Sequence, residues 1–224
     1  MRFWPWLLWL AASAAPAAQS VQFCYDYGCR VEDWVHYDDA QLDAVRGRLH
    51  EASDAAGERE RLALVLGSLY LWAGEQLPIH ADKGGDRADD DVEGRMDCID
   101  HATSTARLLR MIEAQGWLRH HRVVDPARRS MLIVQHFSAV IEQRDAPVAP
   151  AAPVTQFASE LAACAGCYDE AGWILAGARP SAAPPPPDPL IEARWAVDTW
   201  FRDNGAPAVV MPLATWLAGA YPDD

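Results

Sequence analysis

Basic residues are scarce in this 224-residue chain: Lys and Arg number 19 against 32 Asp and Glu, a net charge of −13. A surface that acidic is repelled by phosphate backbones and by anionic membrane surfaces, so no nucleic-acid partner is expected. Cysteine is sparse too, with five in all, too few for a small disulfide-dense scaffold. Internal repeats are absent. Beyond residue 20 no apolar run approaches the roughly 20 residues that span a bilayer, so the chain does not read as an integral membrane protein. What remains is ordinary globular composition, 50% apolar and 23% charged. That is enough to bury a core, and it is unlike a disordered or collagenous chain.

The first residues read as an export signal rather than as fold. Arg2 precedes an apolar run from Phe3 to Ala12, and Ala15-Pro16-Ala17 resembles a cleavage site. Residues 1–17 are therefore expected to be a signal peptide. Residues 18–224 are expected to form a single domain in the bacterial periplasm or outside the cell. In such an oxidising compartment thiols pair. Cys24 and Cys29 lie close together, Cys164 and Cys167 form a C-x-x-C, and Cys98 stands alone. Four cysteines allow three connectivities, of which Cys24–Cys29 with Cys164–Cys167 is the simplest. A four-thiolate zinc site is a weaker alternative at this spacing.

Residues 41–51 and 58–77 have helical spacing, the second with a stripe of Leu62, Val65, Leu66, Leu69, Tyr70 and Ala73. Residues 79–96 read as an acidic loop. A further helix is expected from Cys98 to Ala114, capped by Asp97, stopped by Gly116 and buried along Ile99, Ala102, Ala106, Leu109 and Ile112. His120–Val124 and Met131–Glu142 read as strands, with a turn at Pro126 and Arg128-Arg129. Residues 145–190 form a Pro-flanked insert, in which residues 155–178 look helical and carry the C-x-x-C. Arg194–Phe201 reads as a strand, Asn204-Gly205 as a turn and Pro212–Ala218 as a short helix. Helices first and strands after give an α+β domain in which N-terminal helices pack on a small antiparallel sheet.

One constellation carries chemistry. Cys98 falls in the first turn of a helix, where exposed N–H groups and the dipole favour a thiolate and are expected to lower its pKa. A thiolate needs a base, and the base needs a partner to orient it. His136 and Asp198 each sit mid-strand, and an antiparallel pairing brings them side by side.

The Asp97-Cys98 helix start, followed by Ala102, Leu108-Leu109-Arg110, Gly116 and Val123, then a strand His and a later strand Asp, resembles the transglutaminase-like, papain-type cysteine hydrolase superfamily. It is similar to the exported bacterial transglutaminase-like cysteine proteinases. The resemblance implies a papain/transglutaminase-like core, a Cys98-His136-Asp198 triad, and hydrolysis or transfer of a peptide or protein acyl group through an acyl-enzyme. His136 and Asp198 are 62 positions apart, and subtracting the 46 residues of the insert leaves 16, a spacing that suits adjacent strands. The backbone N–H of Cys98 is a candidate oxyanion donor, with Gln76 and Trp34 as guesses for a second.

No organic cofactor is expected and no metal site is assigned. Calcium is raised by the acidic residues Asp89, Asp90, Asp91, Asp97 and Asp100 near Cys98, although Asp82–Glu93 does not fit an EF-hand. His36, His50, His80, His101, His120 and His121 read mostly as surface residues. Trp195, Trp200 and Phe201 read as core. A second function class stays open, a catalytically inactive module of the same fold that binds a peptide or an envelope protein through the insert.

Overall fold

The computed structural model describes residues 18–85, 89, 91–131, 134–146 and 188–222. The signal-like residues 1–17 and most of the insert, including its C-x-x-C pair Cys164 and Cys167 and its helical patch, lie outside the described residues. The architecture is α+β, with a two-stranded and a four-stranded antiparallel sheet packed with helices.

The described chain opens with strands, not helices. Strands β1 (Gln19–Tyr25) and β2 (Val31–Tyr37) pair antiparallel from Gln19↔Tyr37 to Tyr25↔Val31. Val21, Phe23 and Tyr25 face inward at a period of two, as do Val35 and Tyr37. Helix α1 (Asp39–His50) follows, closed by a capping box between Asp38 and Gln41, with Leu42, Val45 and Leu49 buried. Helix α2 (Ala55–Gly74) is capped by Asp54 and buries the whole predicted stripe from Leu62 to Ala73. A 3-10 turn at Pro78–Ala81 interrupts the expected loop.

Helix α3 (Cys98–Ala114) has the expected bounds. The Asp97 carboxylate accepts from the N–H groups of Ile99 and Asp100, and the Asp100 side chain accepts in turn from Asp97 N–H. Ala102, Ala106, Leu109 and Ile112 are buried. Ile99 is not; it is 38% exposed at the first turn. Gly116 takes a left-handed φ of 71° just past the end of the helix.

The larger sheet runs β3 (His121–Met131), β4 (Val134–Gln143), β5 (Arg194–Asp198) and β6 (Val209–Pro212) in sequence order. The expected turn at Pro126 to Arg129 is absent, and these residues continue β3. The register shifts between Val124 and Ala127, so Asp125 and Pro126 sit in a bulge on an edge strand, where proline costs no ladder bond. Strand β5 ends at Asp198, three residues before the expected end, and β6 was not expected. A short helix, α4 (Leu213–Leu217), closes the chain.

Strand β4 pairs directly with β5, from Ala139↔Val197 to Glu142↔Arg194, across the insert. Ala139, Ile141 and Val197 join the main core with the helices. Val140 and Ala196 face the other way, onto Leu213 and Trp216 of α4.

Candidate active site

Three elements bring the predicted residues into one neighbourhood. Cys98 begins α3 and is a half-buried free thiol. Its sulfur lies 3.8 Å from the carbonyl oxygen of Gln135 and receives the backbone N–H of Phe137. It therefore rests on the β4 main chain on both sides of His136. Continuing the β4–β5 register by one residue sets Asp198 opposite Ser138, on the strand face that also carries His136. Opposite-but-two is within side-chain reach. The His136 Nε2 to Asp198 Oδ2 distance is 2.7 Å, with both residues buried.

Asp198 accepts at every contact. Trp216 donates its indole N–H to the oxygen that meets His136, at 2.9 Å. Trp200 N–H donates to the other oxygen at 3.1 Å. An acceptor-only partner fixes the proton of a neutral imidazole on Nε2 and leaves Nδ1 with the free lone pair. Trp200, Phe201 and Trp216 enclose the ring, with centroids 4.8, 5.3 and 5.5 Å from it. Of the three aromatics read as plain core, Trp200 and Phe201 thus belong to the wall of the histidine. Trp195 instead carries the Arg59 guanidinium over its ring at 3.7 Å.

The thiol departs from expectation. Burial pushes its pKa up, and the charges of Asp97 and Asp198 push the same way, outweighing the Phe137 N–H. Helix-terminal stabilisation does not outweigh burial and the neighbouring carboxylates, so the shift is opposite to the expected lowering.

Two of the six histidines expected to lie mostly on the surface are buried. His101 places Nε2 3.0 Å from Asp82 and Nδ1 2.8 Å from Thr199 Oγ1. Asp82 also accepts Met96 N–H at 2.9 Å, so one carboxylate ties down residues on both sides of Cys98. His121 places Nδ1 2.8 Å from Glu58 and Nε2 3.1 Å from an Arg59 nitrogen. Glu58 further accepts the N–H groups of Arg119, His120 and His121. No sequence spacing marks these pairs, because their partners lie on different elements.

Neither guessed second oxyanion donor is in place. The Gln76 amide is spent on the His36 backbone and on Trp72 O. Trp34 flanks a surface depression with Arg107, Arg110 and Met111, turns away along α3 from Cys98. Three of the acidic residues considered for calcium, Asp89, Asp97 and Asp100, are engaged with protein donors. Asp97 caps α3, Asp89 accepts Tyr27 O–H and pairs with Arg95, and Asp100 accepts backbone N–H groups. Asp90 lies outside the described residues. Among the described residues the one group close enough to hold a metal is Cys24, Cys29 and Glu32, and its two sulfurs are joined in a disulfide. No helix among the described residues is long and apolar enough to cross a membrane. No protein-family model, curated protein or solved structure matches the chain.

Proposed function

We propose that this protein is an exported thiol-dependent amide hydrolase or acyl transferase, a cysteine peptidase or transglutaminase-like enzyme of the papain type, using Cys98, His136 and Asp198. The observation that carries the reading is the buried His136–Asp198 pair on the strand whose main chain, on both sides of His136, meets the half-buried Cys98 sulfur. Cys98 Sγ attacks the amide carbonyl carbon while its proton passes to Nδ1 of His136. The tetrahedral intermediate collapses, the C–N bond breaks, and Nδ1–H protonates the departing amine. Water, or a second amine, then attacks the thioester with Nδ1 as base, and the sulfur recovers its proton. Asp198 keeps the tautomer and supports the transient imidazolium. The Cys24–Cys29 disulfide supports an oxidising, extracytoplasmic compartment such as the periplasm.

The raised thiol favours a second reading, a catalytically inactive module of the same architecture that binds a peptide or an envelope protein. One experiment separates the two. An active triad exposed to p-nitrophenyl acetate releases a burst of p-nitrophenolate and leaves an acetyl group on Cys98, read by peptide mass spectrometry. His136→Ala is expected to abolish the burst at pH 7 and to leave only slow acetylation that grows above pH 9. Equal acetylation of the native chain and of His136→Ala at pH 7 overturns the enzyme reading and leaves the binding module.

A further inference from the structure

The connection between β1 and β2 is built in an unusual way. Asp26, Tyr27, Gly28 and Cys29 all have left-handed φ, at 64°, 61°, 71° and 56°. Only the glycine adopts this region without steric cost, so a run with three other residues needs something to hold it. The Cys24–Cys29 disulfide closes the loop across this run.

The loop spends its geometry on one side chain. Successive N–H groups in such a turn converge and cradle an anion. Here the cradle holds the Asp100 carboxylate: Tyr27 N–H donates to Oδ2 at 2.8 Å and Cys29 N–H to Oδ1 at 2.5 Å. Asp100 is fully buried, and its Oδ2 also accepts Asp97 N–H at 3.1 Å. The disulfide, the left-handed run, a buried carboxylate and the first turn of α3 are thus one connected unit, and Cys98 lies between the two aspartates of that turn. Asp26 extends the unit by accepting Gly94 N–H at 2.7 Å and donating its own N–H to Arg95 O at 2.8 Å, just upstream of Cys98.

We propose that the Cys24–Cys29 loop is a positioning element for Cys98 that acts through Asp100, so that opening the disulfide switches Cys98 off reversibly. A dithiol reductant supplies the two electrons and two protons. The S–S bond breaks, Cys24 and Cys29 become thiols, and the reductant leaves as its own disulfide. Freed of its closure, the run reverts to ordinary backbone, withdraws two N–H donors from a buried carboxylate, and loosens the turn that places the sulfur. The catalytic readout of this switch rests on the enzyme reading above, whereas its structural readout does not.

The test uses full-length chain carrying Cys164→Ser and Cys167→Ser, so that one pair alone responds. Oxidised chain, chain reduced with dithiothreitol and desalted, and reoxidised chain are compared by hydrogen exchange over residues 97–105 and by acetylation of Cys98 with p-nitrophenyl acetate. Near-UV circular dichroism monitors the global fold. The expected result is at least tenfold faster exchange at residues 97–101 and at least tenfold slower acetylation on reduction, both restored by reoxidation, with the near-UV spectrum retained. Unchanged exchange at 97–101 overturns the proposal. So does loss of the near-UV spectrum, which makes the disulfide a general staple. Faster exchange with no acetylation in either state supports the positioning role and removes the enzyme reading instead.

Discussion

Trp216 donates its indole N–H to the very oxygen of Asp198 that meets His136, so one carboxylate oxygen, itself buried, is shared between α4 and β4. The ring is wholly buried and is held from behind by Arg129, which donates to Trp216 O at 2.6 Å and lies over the ring at 4.7 Å. The phenyl ring of Trp216→Phe keeps much of the packing but removes a hydrogen bond to a charged group, worth about 1.5–3 kcal/mol. The expected outcome is a lower thermal midpoint together with a three- to tenfold slower acetylation of Cys98. A loss of stability with an unchanged rate would show that the indole supports the fold and not the histidine.

The tautomer argument is tested at Asp198 itself. In Asp198→Asn the side chain keeps its shape but offers an NH2 group as well as an oxygen. Turned toward His136, that NH2 moves the imidazole proton to Nδ1 and leaves no base for the thiol. Acetylation at pH 7 is expected to fall by about 10²–10⁴-fold, in the range that positioned acid–base groups supply. The imidazole 15N shifts of His136 report the tautomer directly. A native-like 15N pattern with native-like rate removes Asp198 from its role.

The helices and the pairing of His136 with Asp198 were legible because each leaves a local mark. The apolar stripe of α2 repeats at the helical period, and the Asp97 cap announces α3. His136 and Asp198 are each the one titratable group in their runs, Val134–Ile141 and Trp195–Phe201. Strands β1 and β2 escaped notice although Val21, Phe23 and Tyr25 alternate, because the pattern is short and sits next to the signal-like segment. Pro126 read as a turn because proline breaks most strands, while a bulge on an edge strand absorbs it. The Asp100 cradle and the Asp82–His101 and Glu58–His121 pairs were invisible for a different reason. Each joins residues 19 to 73 positions apart through the folded chain, and one sequence carries no record of such contacts.

Asp100 and Glu58 predict opposite pH dependences. Burial raises the Asp100 carboxyl from 3.8 to about 6, despite its N–H donors. Its unfolded form ionises first, so the stability it contributes at acid pH is lost as pH rises from about 4 to 6. Burial also pushes Glu58 up, but the bonds from His121 and from the Arg119 and His120 N–H groups outweigh it and lower the value below 4.5. Its contribution is present above pH 4.5 and is lost as pH falls through the lowered native value. Urea unfolding of Asp100→Asn between pH 4 and 6 is expected to show a flatter decline than the native chain, and Glu58→Gln to be less sensitive below pH 4.5. A native decline that Asp100→Asn leaves unchanged would assign that slope to other groups.

The insert joins the described chain beside a strand pair that ion pairs hold together. Glu142 and Arg194 face each other across β4 and β5, and the Glu142 carboxylate, 3% exposed, binds Arg122 of β3 and Arg194 of β5. Arg194 also pairs with Asp188, so the chain is fixed on both sides of the excursion. Replacing residues 147–187 by a flexible linker of about six residues spans ends that the ladder already holds together, and loop closure changes little with length on this scale. The shortened chain is expected to keep its thermal midpoint within a few degrees and its Cys98 acetylation rate within threefold. Glu142→Ala removes the acceptor that Arg122 and Arg194 share, but Arg122 is half exposed and Arg194 keeps Asp188, so the expected cost is about 1 kcal/mol in either background. If the shortened chain keeps its stability and loses only acetylation, the insert takes part in the chemistry. If it keeps both and loses capture of a peptide or envelope protein that the full chain retains, the insert is a recognition element grafted onto a sheet that folds without it.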